Sequence, residues 1–348
     1  MSSPSPRIAV VGATGAVGRT MLEVLREREF PAREIVPFAS ERSAGQQVGE
    51  GLAVRALSEE NIDGFDIALF SAGSSVSREW APRFAERGAV VVDNSSCWRM
   101  HDDVPLVVAE VNPAALDAHE GIVANPNCTA MQALVVLGPL RDAVGLERIV
   151  FTSYQSTSGT GKRAVEELET QSRAILHGTA PPAPEVYPHP IAFNVIPQVE
   201  TFKDGDDYTT EERKVVGESR KILGLPDLRI TVTCARVPVR NCHSEALNVE
   251  TREELSPEDC RTLLAQAPGV VVVDDPAAGR YPLASDAAGH DEVFVGRIRR
   301  DESNPRTLNM WIVGDNLRKG AATNTVQIAE LLVGRGLLSG SRAAHAAS

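Results

Sequence analysis

Residues 7–29 read RIAVVGATGAVGRTMLEVLRERE and carry the strongest indication of the fold. This stretch opens with a short apolar run, passes through a turn that contains Gly12, Gly15 and Gly18, and continues as an amphipathic run at helical spacing. Glycine allows a sharp turn and a close backbone approach, and the free N–H groups at a helix start attract a pyrophosphate. We therefore predict a strand, a glycine turn and a helix beginning near Ala16 that together bind a dinucleotide.

Three further apolar runs follow the opening stretch, and each ends in small polar residues. They are EIVPFAS (34–40), DIALFSAG (66–73) and GAVVVDNSS (88–96). Such runs, alternating with helical stretches, are typical of a parallel sheet whose carboxyl edge lines a ligand crevice. The first predicted domain is therefore an α/β, Rossmann-type, doubly wound parallel sheet.

The hydrophobic pattern of the sequence changes from about Phe151. Long alternating stretches appear, namely RIVFTSYQSTSG (148–159), LRITVTCARVPVRNCHSEALNVET (228–251), DEVFVGRIRR (291–300) and RTLNMWIVGDN (306–316). This alternation is typical of an antiparallel sheet with helices on one face. We predict a second, α+β domain built on a mostly antiparallel sheet.

The predicted domain boundary lies at the Asn-Pro-Asn-Cys sequence. The first domain is predicted to contain residues 1–127 together with 320–348, and the second to contain residues 128–319. Residues 320–338 have apolar side chains at helical spacing and are predicted to pack back on the first domain. Residues 339–348 are predicted to form a disordered tail.

Composition limits the class of function. The 348 residues carry a formal net charge of −12 and no run rich in lysine or arginine, which argues against a nucleic-acid partner. We recognise neither a secretory signal nor a stretch apolar enough to span a membrane. Five scattered cysteines then predict free thiols and a cytoplasmic location. No cysteine or histidine spacing suits zinc, so we predict no metal.

The end of the second predicted strand bears on the choice of cofactor. An NAD site usually has an acidic residue here that holds the ribose hydroxyls. This sequence instead reads Ser40, Glu41, Arg42. A hydroxyl and a guanidinium suit a 2′-phosphate, which favours NADP(H), whereas Glu41 keeps NAD as an alternative.

Cys128 follows Asn-Pro-Asn and opens the apolar helical run CTAMQALVVLGPL. Asn127 is a candidate helix cap. A helix start lowers the pKa of a thiol, and its N–H groups can hold an oxyanion. Position alone leaves two interpretations open, a reactive thiolate and a small buried residue.

The other four cysteines suit a structural role better. Cys234 lies in an alternating strand, Cys260 lies in a charged helix, and Cys97 lies in a loop without an evident activating group. Cys242 adjoins His243 on a segment predicted to be extended, so these two side chains should point to opposite faces.

Seven motifs occur in one order over nearly the whole chain: GATGAVG, DNSSCWRM, NPNCTA, SYQSTSGTG, EERK, RVPVRNCHSE and GDNLRKGAATN. Together they resemble the aspartate-β-semialdehyde dehydrogenase family. The resemblance implies NADPH-dependent reductive dephosphorylation of L-aspartyl-4-phosphate to L-aspartate-4-semialdehyde and phosphate, through a cysteine thioester. This step leads toward lysine, threonine, methionine and diaminopimelate. The second domain would carry both catalysis and dimerisation.

The resemblance also implies roles for three catalytic residues. Cys128 matches the acylated nucleophile, His243 matches the general acid/base, and Gln155 matches the residue that positions the thioester carbonyl. The chemistry requires a thiol that is ionised near neutral pH, and we expect a helix start and a nearby imidazolium to supply that ionisation.

Four more residues match groups that bind the substrate. Arg236 matches the arginine that binds the α-carboxylate, and Glu211 matches the acceptor for the ammonium group. Arg99 and Lys214 match the two cations that hold phosphate. Glu211 and Lys214 are three residues apart, so on a helix they would share a face.

Cofactor contacts are implied in both predicted domains, near the phosphates and near the nicotinamide. One departure is visible, because this chain has Ala72-Gly73-Ser74 where relatives often carry Ala-Gly-Gly. The full predicted cofactor set is Gly12, Thr14, Gly15, Ala16, Val17, Ser40, Arg42, Gly73, Ser158, Gly159 and Asn316.

Two alternative functions remain open at this point. An N-acetyl-γ-glutamyl-phosphate reductase-like enzyme would act on an acylated amine and would not need Glu211. A non-catalytic NADP(H)-sensing protein would lack the catalytic residues.

The predicted partners are a small-molecule substrate and further copies of the chain, as a homodimer or homotetramer. The antiparallel sheet and the proline-rich, extended stretch 177–198 are candidate subunit contacts.

Overall fold

The computed structural model describes residues 5–338, so the predicted tail at 339–348 lies outside the described residues. The chain divides into two compact units. One unit contains Met1–Asn127 and Ala321–Ser348, and the other contains Cys128–Gly320.

The strands and helices follow one another along both units. The strands are β1 (Arg7–Val11), β2 (Glu34–Ala39), β3 (Gln47–Val48), β4 (Leu52–Ala53), β5 (Arg55–Ala56), β6 (Ile67–Phe70), β7 (Val90–Asp93), β8 (Ile122–Ala124), β9 (Leu146–Gln155), β10 (Arg229–Arg236), β11 (His243–Thr251), β12 (Val270–Val272), β13 (Val293–Arg300) and β14 (Thr307–Gly314). The α-helices are α1 (Ala16–Glu27), α2 (Ser74–Glu86), α3 (Cys128–Val144), α4 (Lys162–Leu176), α5 (Thr210–Leu223), α6 (Pro257–Ala265), α7 (Ala284–Ala287) and α8 (Asn324–Gly334).

A six-stranded sheet forms the centre of the first unit, in the order β5–β2–β1–β6–β7–β8. All of its neighbouring strands are parallel, which confirms the predicted doubly wound sheet. The strand order reverses between β1 and β6. In sheets of this kind, ligands bind outside the carboxyl ends of the strands at that point.

Alternate residues of β1 serve the two faces of this sheet. Ile8 and Val10 belong to one apolar cluster, and Ala9 and Val11 belong to another. Helices α1 and α8 contribute to the first cluster, in which Val326 is buried, and α2 contributes to the second. Burial on both faces explains why these strands are continuously apolar.

The C-terminal helix begins later than the sequence pattern indicates. A π-helical turn covers Arg318–Thr323, and α8 starts at Asn324 rather than near residue 320. Arg28, which follows the last turn of α1, forms two hydrogen bonds of 2.8 Å to the carboxylate of Glu330. This pair joins α1 to α8 within the first unit.

The second unit is built on a mixed six-stranded sheet, in the order β10–β9–β11–β14–β13–β12. The three central pairings are antiparallel, as predicted. The two outer pairings, β9 with β10 and β12 with β13, are parallel. Parallel neighbours need a crossover connection, and α4, the stretch 177–198 and α5 together connect β9 to β10.

One face of this mixed sheet is covered by helices. Alternate residues of β11 from His243 to Thr251 are buried, and α3 contacts β9, β11, β13 and β14. Helix α3 itself is almost entirely buried from Thr129 to Gly138. The buried face of the sheet therefore includes the position where β11 begins.

The stretch 177–198 contains no helix and pairs with a strand only through an isolated bridge between Ile196 and Arg236, as far as the structure describes it. The absence of a helix agrees with the prediction, but bends at 185–189 and a turn at 192–193 show that the stretch is not extended throughout. Separately, none of the helices within residues 5–338 combines the length and the apolar character needed to cross a lipid bilayer.

Candidate active site

Cys128 is the first residue of α3, in agreement with the sequence prediction. Its Sγ lies 3.4 Å from Nε2 of His243, which is the first residue of β11 and is fully buried. A Cβ atom on Gly320 would lie 2.9 Å from the Cβ of Cys128, so only glycine leaves room beside the thiol. A thiol in contact with an imidazole at a helix start is suited to act as a nucleophile whose thiolate the ring stabilises.

The imidazole of His243 is held from its other side. The backbone N–H of Ser156 donates to Nδ1 at 3.1 Å, which assigns the ring hydrogen to Nε2, the atom that faces the sulfur. Burial and the nearby guanidinium of Arg236 lower the pKa of His243 well below its ordinary value. The structure therefore indicates a neutral imidazole beside the thiol, whereas the sequence led us to expect an imidazolium.

A buried polar network surrounds the Ser156 side of the ring. The Oδ1 atom of Asn316 accepts hydrogen bonds from the Ser156 hydroxyl at 3.0 Å and from the Cys242 backbone at 3.0 Å. Its Nδ2 atom donates to Ser158 Oγ at 2.9 Å. Ser158 and Asn316, predicted as cofactor contacts, thus also support the loop before His243.

Cys242 departs from the predicted extended conformation. Its φ of 70° lies in the left-handed region, which is rare for residues other than glycine. The turn directs its backbone N–H toward Asn316, and its side chain packs in an apolar cluster with Ala287 and Val313. Cys242 and His243 are therefore separated by the turn rather than by strand alternation.

Arg236 ends β10 as a buried residue close to the imidazole. Its Nη1 atom donates to the Ser156 carbonyl at 2.5 Å, whereas its buried Nε atom has no hydrogen-bond partner among the described residues. A Cβ on Gly159 would lie 3.1 Å from the His243 ring and 3.3 Å from Arg236 Nη1, so this glycine keeps space near both groups. An N–H group without a partner on a buried guanidinium suits an incoming carboxylate.

Gln155 and Glu211 meet beside this arginine and histidine. Gln155 Nε2 donates to Glu211 Oε1 at 3.2 Å and to Ser153 Oγ at 3.2 Å. Thr129, the residue after Cys128, donates to the same Glu211 oxygen at 3.4 Å. Glu211 is buried in the first turn of α5, where the positive end of the helix dipole stabilises a negative charge.

Lys214 shares a face of α5 with Glu211, as predicted, and its Nζ lies 3.8 Å from Glu211 Oε2. The same amino group forms an ion pair with Glu200, a residue that sequence analysis did not single out. A phosphate bound by Lys214 would therefore compete with a carboxylate that is already in place.

The other four cysteines are poor nucleophiles. Burial raises the pKa of the Cys260 thiol to about 12, and it raises those of Cys234 and Cys242 further. Burial also raises the pKa of Cys97. Cys128 is thus the thiol whose surroundings suit nucleophilic chemistry.

The glycine turn of the first unit has the shape that a dinucleotide requires. Gly12 has a φ of 89°, and a Cβ there would lie 2.8 Å from the backbone of Ser71. A Cβ on Gly18 would lie 2.3 Å from the Gly12 carbonyl oxygen. Gly15 occupies the N-cap of α1 without a side chain, so no side-chain cap blocks the N–H groups of the helix start.

The remaining predicted cofactor positions of this unit lie close to that turn or at strand ends. Ala16 and Val17 begin α1, directly after Thr14 and Gly15. Ser40 and Arg42 follow β2 and are exposed. Gly73, with a φ of 87°, is the N-cap of α2 after β6.

Arg99 is a buried residue of the first unit. Its Nε donates to the Asn125 carbonyl at 2.9 Å, and Nη2 donates to the Asn94 carbonyl at 2.7 Å. The guanidinium thus bridges the chain segments that follow β7 and β8. This gives Arg99 a structural role in addition to the phosphate role that the resemblance implies.

Sequence reasoning missed Ser156, Gly320 and Glu200. Ser156 follows Gln155 in the SYQSTSGTG motif, and this adjacency was its only signal. Gly320 lies within the GDNLRKGAATN motif, but no local pattern relates it to the distant thiol. Glu200 has no sequence signal, since its contact with Lys214 depends on how the loop before α5 folds against that helix.

Models of known protein families match a long segment of each of the two units. A family model described as the NAD binding domain of semialdehyde dehydrogenase matches residues 7–119. A second, described as the semialdehyde dehydrogenase dimerisation domain, matches residues 137–319.

Close relatives cover almost the full length of the chain. An aspartate-semialdehyde dehydrogenase of Aquifex aeolicus is 52% identical over 338 residues, which are 95% of this chain and 99% of that protein. One of Bacillus subtilis is 47% identical and covers 93% and 96%. The crystal structure of aspartate semialdehyde dehydrogenase II from Vibrio cholerae, complexed with ASA, has a TM-score of 0.91 at 47% identity, and covers 95% and 99%.

The fold and the thiol–imidazole pair, together with the two matching models, define the class as a semialdehyde dehydrogenase with a cysteine thiol in its site. The sequence identities and coverages of the relatives show which family within this class the chain represents. The chain belongs to the aspartate-semialdehyde dehydrogenase family, and it is an oxidoreductase of amino-acid biosynthesis.

A buried carboxyl group beneath the site leads to a test of stability. Glu245 lies two residues after His243 on the buried face of β11, and neither of its oxygens has a hydrogen-bond partner among the described residues. Burial raises the pKa of Glu245 well above its ordinary value, so the folded chain holds this proton while the unfolded chain releases it. Stability contributed by this group is therefore lost as the pH rises.

We expect Glu245→Gln to gain stability relative to the wild type as the pH rises from about 5 to about 8, by up to about 1.4 kcal/mol per pH unit. Urea denaturation at both pH values measures the difference. Glu253→Gln, at an exposed glutamate just after β11, controls for the loss of a carboxylate from the unfolded chain. A stability difference between Glu245→Gln and the wild type that stays constant with pH would contradict the assignment of a neutral Glu245.

Proposed function

We propose that this enzyme catalyses the NADPH-dependent reductive dephosphorylation of L-aspartyl-4-phosphate to L-aspartate-4-semialdehyde and phosphate. The observation that carries the proposal is the 3.4 Å contact between Cys128 Sγ and His243 Nε2 at the start of α3. Groups suited to an amino acid lie in the same unit, namely the buried guanidinium of Arg236 and the buried carboxylate of Glu211.

The proposed chemistry begins with the thiolate of Cys128, which attacks the acyl carbon. A carbon–sulfur bond forms, the bond from carbon to the phosphate oxygen breaks, and phosphate leaves. The Nε2–H group of His243 faces the sulfur and stabilises its negative charge, both before attack and when the sulfur later departs. The N–H groups at the start of α3 are suited to hold the oxyanion of the tetrahedral intermediate.

A bound NADPH would supply the hydride that reduces the thioester to the aldehyde level. The glycine turn at Gly12, Gly15 and Gly18 is suited to hold its pyrophosphate, because added side chains would clash there and the helix start has no side-chain cap. Ser40 and Arg42 at the end of β2 are proposed to hold a 2′-phosphate, and this gives the preference for NADP(H) over NAD.

The proposed substrate contacts divide by charge. Arg236 receives the α-carboxylate, and Glu211 accepts the ammonium group. Gln155, which contacts Glu211 at 3.2 Å, positions the thioester carbonyl. Lys214 and Arg99 are the cations proposed for phosphate.

We further propose a homodimer, because the model matching residues 137–319 is described as a dimerisation domain. A tetramer is a proposal of the same kind, and the mixed sheet and the stretch 177–198 are the candidate contacts. A cytoplasmic location is proposed because all five cysteines are free thiols.

A phosphate-dependent assay tests the whole reaction in reverse. We expect reduction of NADP when L-aspartate-semialdehyde and phosphate are both present, and none when either is withheld. Cys128→Ser should lower this rate by at least about a thousandfold while NADPH binding, measured by fluorescence titration, stays intact. Turnover at the wild-type rate by Cys128→Ser would refute the thioester mechanism.

The ammonium role of Glu211 has its own test. Glu211→Gln removes a buried charge while keeping the side-chain shape, and we expect it to weaken apparent binding of L-aspartate-semialdehyde by about 1–3 kcal/mol. The KM for this substrate is the measurement, and the KM for NADP is the internal control. An unchanged substrate KM would show that Glu211 does not meet the ammonium group.

Rates on N-acetylglutamate semialdehyde, which lacks a free amine, separate the proposal from the acylated-substrate alternative.

The proposed contact of Arg42 with the 2′-phosphate is tested separately from that of Ser40. Arg42→Ala should raise the KM for NADP by about tenfold to a hundredfold, because a charge-assisted hydrogen bond is lost, and should leave the KM for NAD nearly unchanged. Steady-state kinetics with both cofactors give the ratio. Equal effects on both cofactors would argue against the contact.

A further inference from the structure

The segment 185–196 has no regular secondary structure, yet helix α4 holds its backbone at two places. The carboxylate of Glu167 accepts hydrogen bonds from the N–H groups of Glu185 and Val186, both at 2.7 Å. The side-chain oxygen of Gln171 accepts those of Ile191 at 2.9 Å and Ala192 at 3.2 Å. Backbone groups outside a helix or sheet need such partners, so these side chains keep the segment in a defined path.

Apolar contacts hold the same segment against α4. Ile191, Ala192 and Ile196 are buried in one cluster with Leu168 of α4, and Tyr187 packs against that cluster. The segment is therefore attached to the second unit by its own core, in addition to the four hydrogen bonds.

This path brings the segment 185–196 onto Arg236. Ile196 and Arg236 exchange two backbone hydrogen bonds, of 2.9 and 2.8 Å. The guanidinium carbon of Arg236 lies 5.8 Å from the centre of the Tyr187 ring. The Tyr187 hydroxyl donates to Thr160 Oγ1 at 3.1 Å, which anchors the ring on the loop after Gln155. Main chain and ring thus contact the same arginine.

Arg236 needs such neighbours because its charge is buried. No carboxylate pairs with it among the residues that the structure describes, and its Nε is unpartnered. An aromatic face attracts a guanidinium and restricts the orientation of its plane, but leaves the N–H groups at its edge available. The contacts of Tyr187 are therefore those of a group that orients the guanidinium rather than one that neutralises it.

We propose that Tyr187, held by the segment 185–196, is a positioning residue that orients Arg236 for the α-carboxylate of the substrate. The inference rests on the proposed function, because that carboxylate is the ligand. It assigns to the segment 185–196 a role as a wall of the substrate site.

The test uses the full-length enzyme and the reverse assay. Tyr187→Leu should raise the KM for L-aspartate-semialdehyde by about tenfold, whereas kcat and the KM for NADP change by less than about threefold. Tyr187→Phe keeps the aromatic face and should stay within about threefold of the wild type in all three constants.

A second substrate separates positioning from general damage. 3-Aminopropanal is the semialdehyde without its α-carboxylate, so Arg236 has no group to receive. We expect Tyr187→Leu to leave kcat/KM for 3-aminopropanal within about threefold of the wild type. An equal loss on both aldehydes would overturn the proposal, and so would an unchanged KM for L-aspartate-semialdehyde.

A matched control exists in the same unit. Tyr208 also lies over an arginine, Arg213, at 4.2 Å from ring centre to guanidinium carbon, and its hydroxyl contacts Thr231 at 3.4 Å. Tyr208→Leu should not reproduce the selective rise in the substrate KM, and a rise of equal size there would count against the proposal.

The remaining outcomes have different consequences for the two proposals. If Tyr187→Leu does not fold, Tyr187→Met, which fills space without an aromatic face, carries the same expectation. If the wild-type enzyme does not reduce NADP with L-aspartate-semialdehyde and phosphate, the proposed function fails. If the wild type is active and the Tyr187 variants show no selective effect, only the positioning role fails.

Discussion

The contact between Cys128 Sγ and His243 Nε2 is the interaction on which the proposed chemistry of the second unit depends. The two residues are 115 positions apart, so the contact exists only because α3 packs on the sheet at one register. Gly314 lies opposite His243 in β14, and a Cβ there would lie 3.0 Å from the Gln132 side chain. Gln132 is one helical turn after Cys128. A larger residue at position 314 would force the Gln132 side chain to shift, so glycine here permits the close approach of α3 to β14.

The region around this contact contains polar groups that ordinary packing would exclude. The side chains of Gln132 and Glu245 are buried without hydrogen-bond partners among the described residues, and so is Arg236 Nε. Each such group costs free energy, typically about 1–3 kcal/mol. Ordered water or bound substrate is the usual partner of such groups, and their concentration in one region indicates that stability is given up there for chemistry. The neutral state of His243 has the same origin, since burial and Arg236 both oppose a positive charge on the ring.

Much of the fold could be predicted from local sequence. The glycine turn, the start of α1 at Ala16 and the start of α3 at Cys128 were all predicted, because glycine conformation and apolar periodicity act within a few residues. The late start of α8 was not predicted, since a π-helical turn is compatible with the same apolar spacing. The turn at Cys242 was not predicted either. A left-handed non-glycine residue is strained, and a tertiary contact such as the hydrogen bond to Asn316 is needed to hold it.

The two types of sheet, the thiol at a helix start and the family of the chain could all be predicted from the amino-acid sequence. These depend on short-range periodicity and on the order of motifs. The tertiary structure alone decided that the imidazole is neutral, that Lys214 pairs with Glu200 and that Tyr187 lies over Arg236. Protonation states and pairings of this kind depend on burial and on distances between residues far apart in the chain, and such distances exist only after the chain has folded.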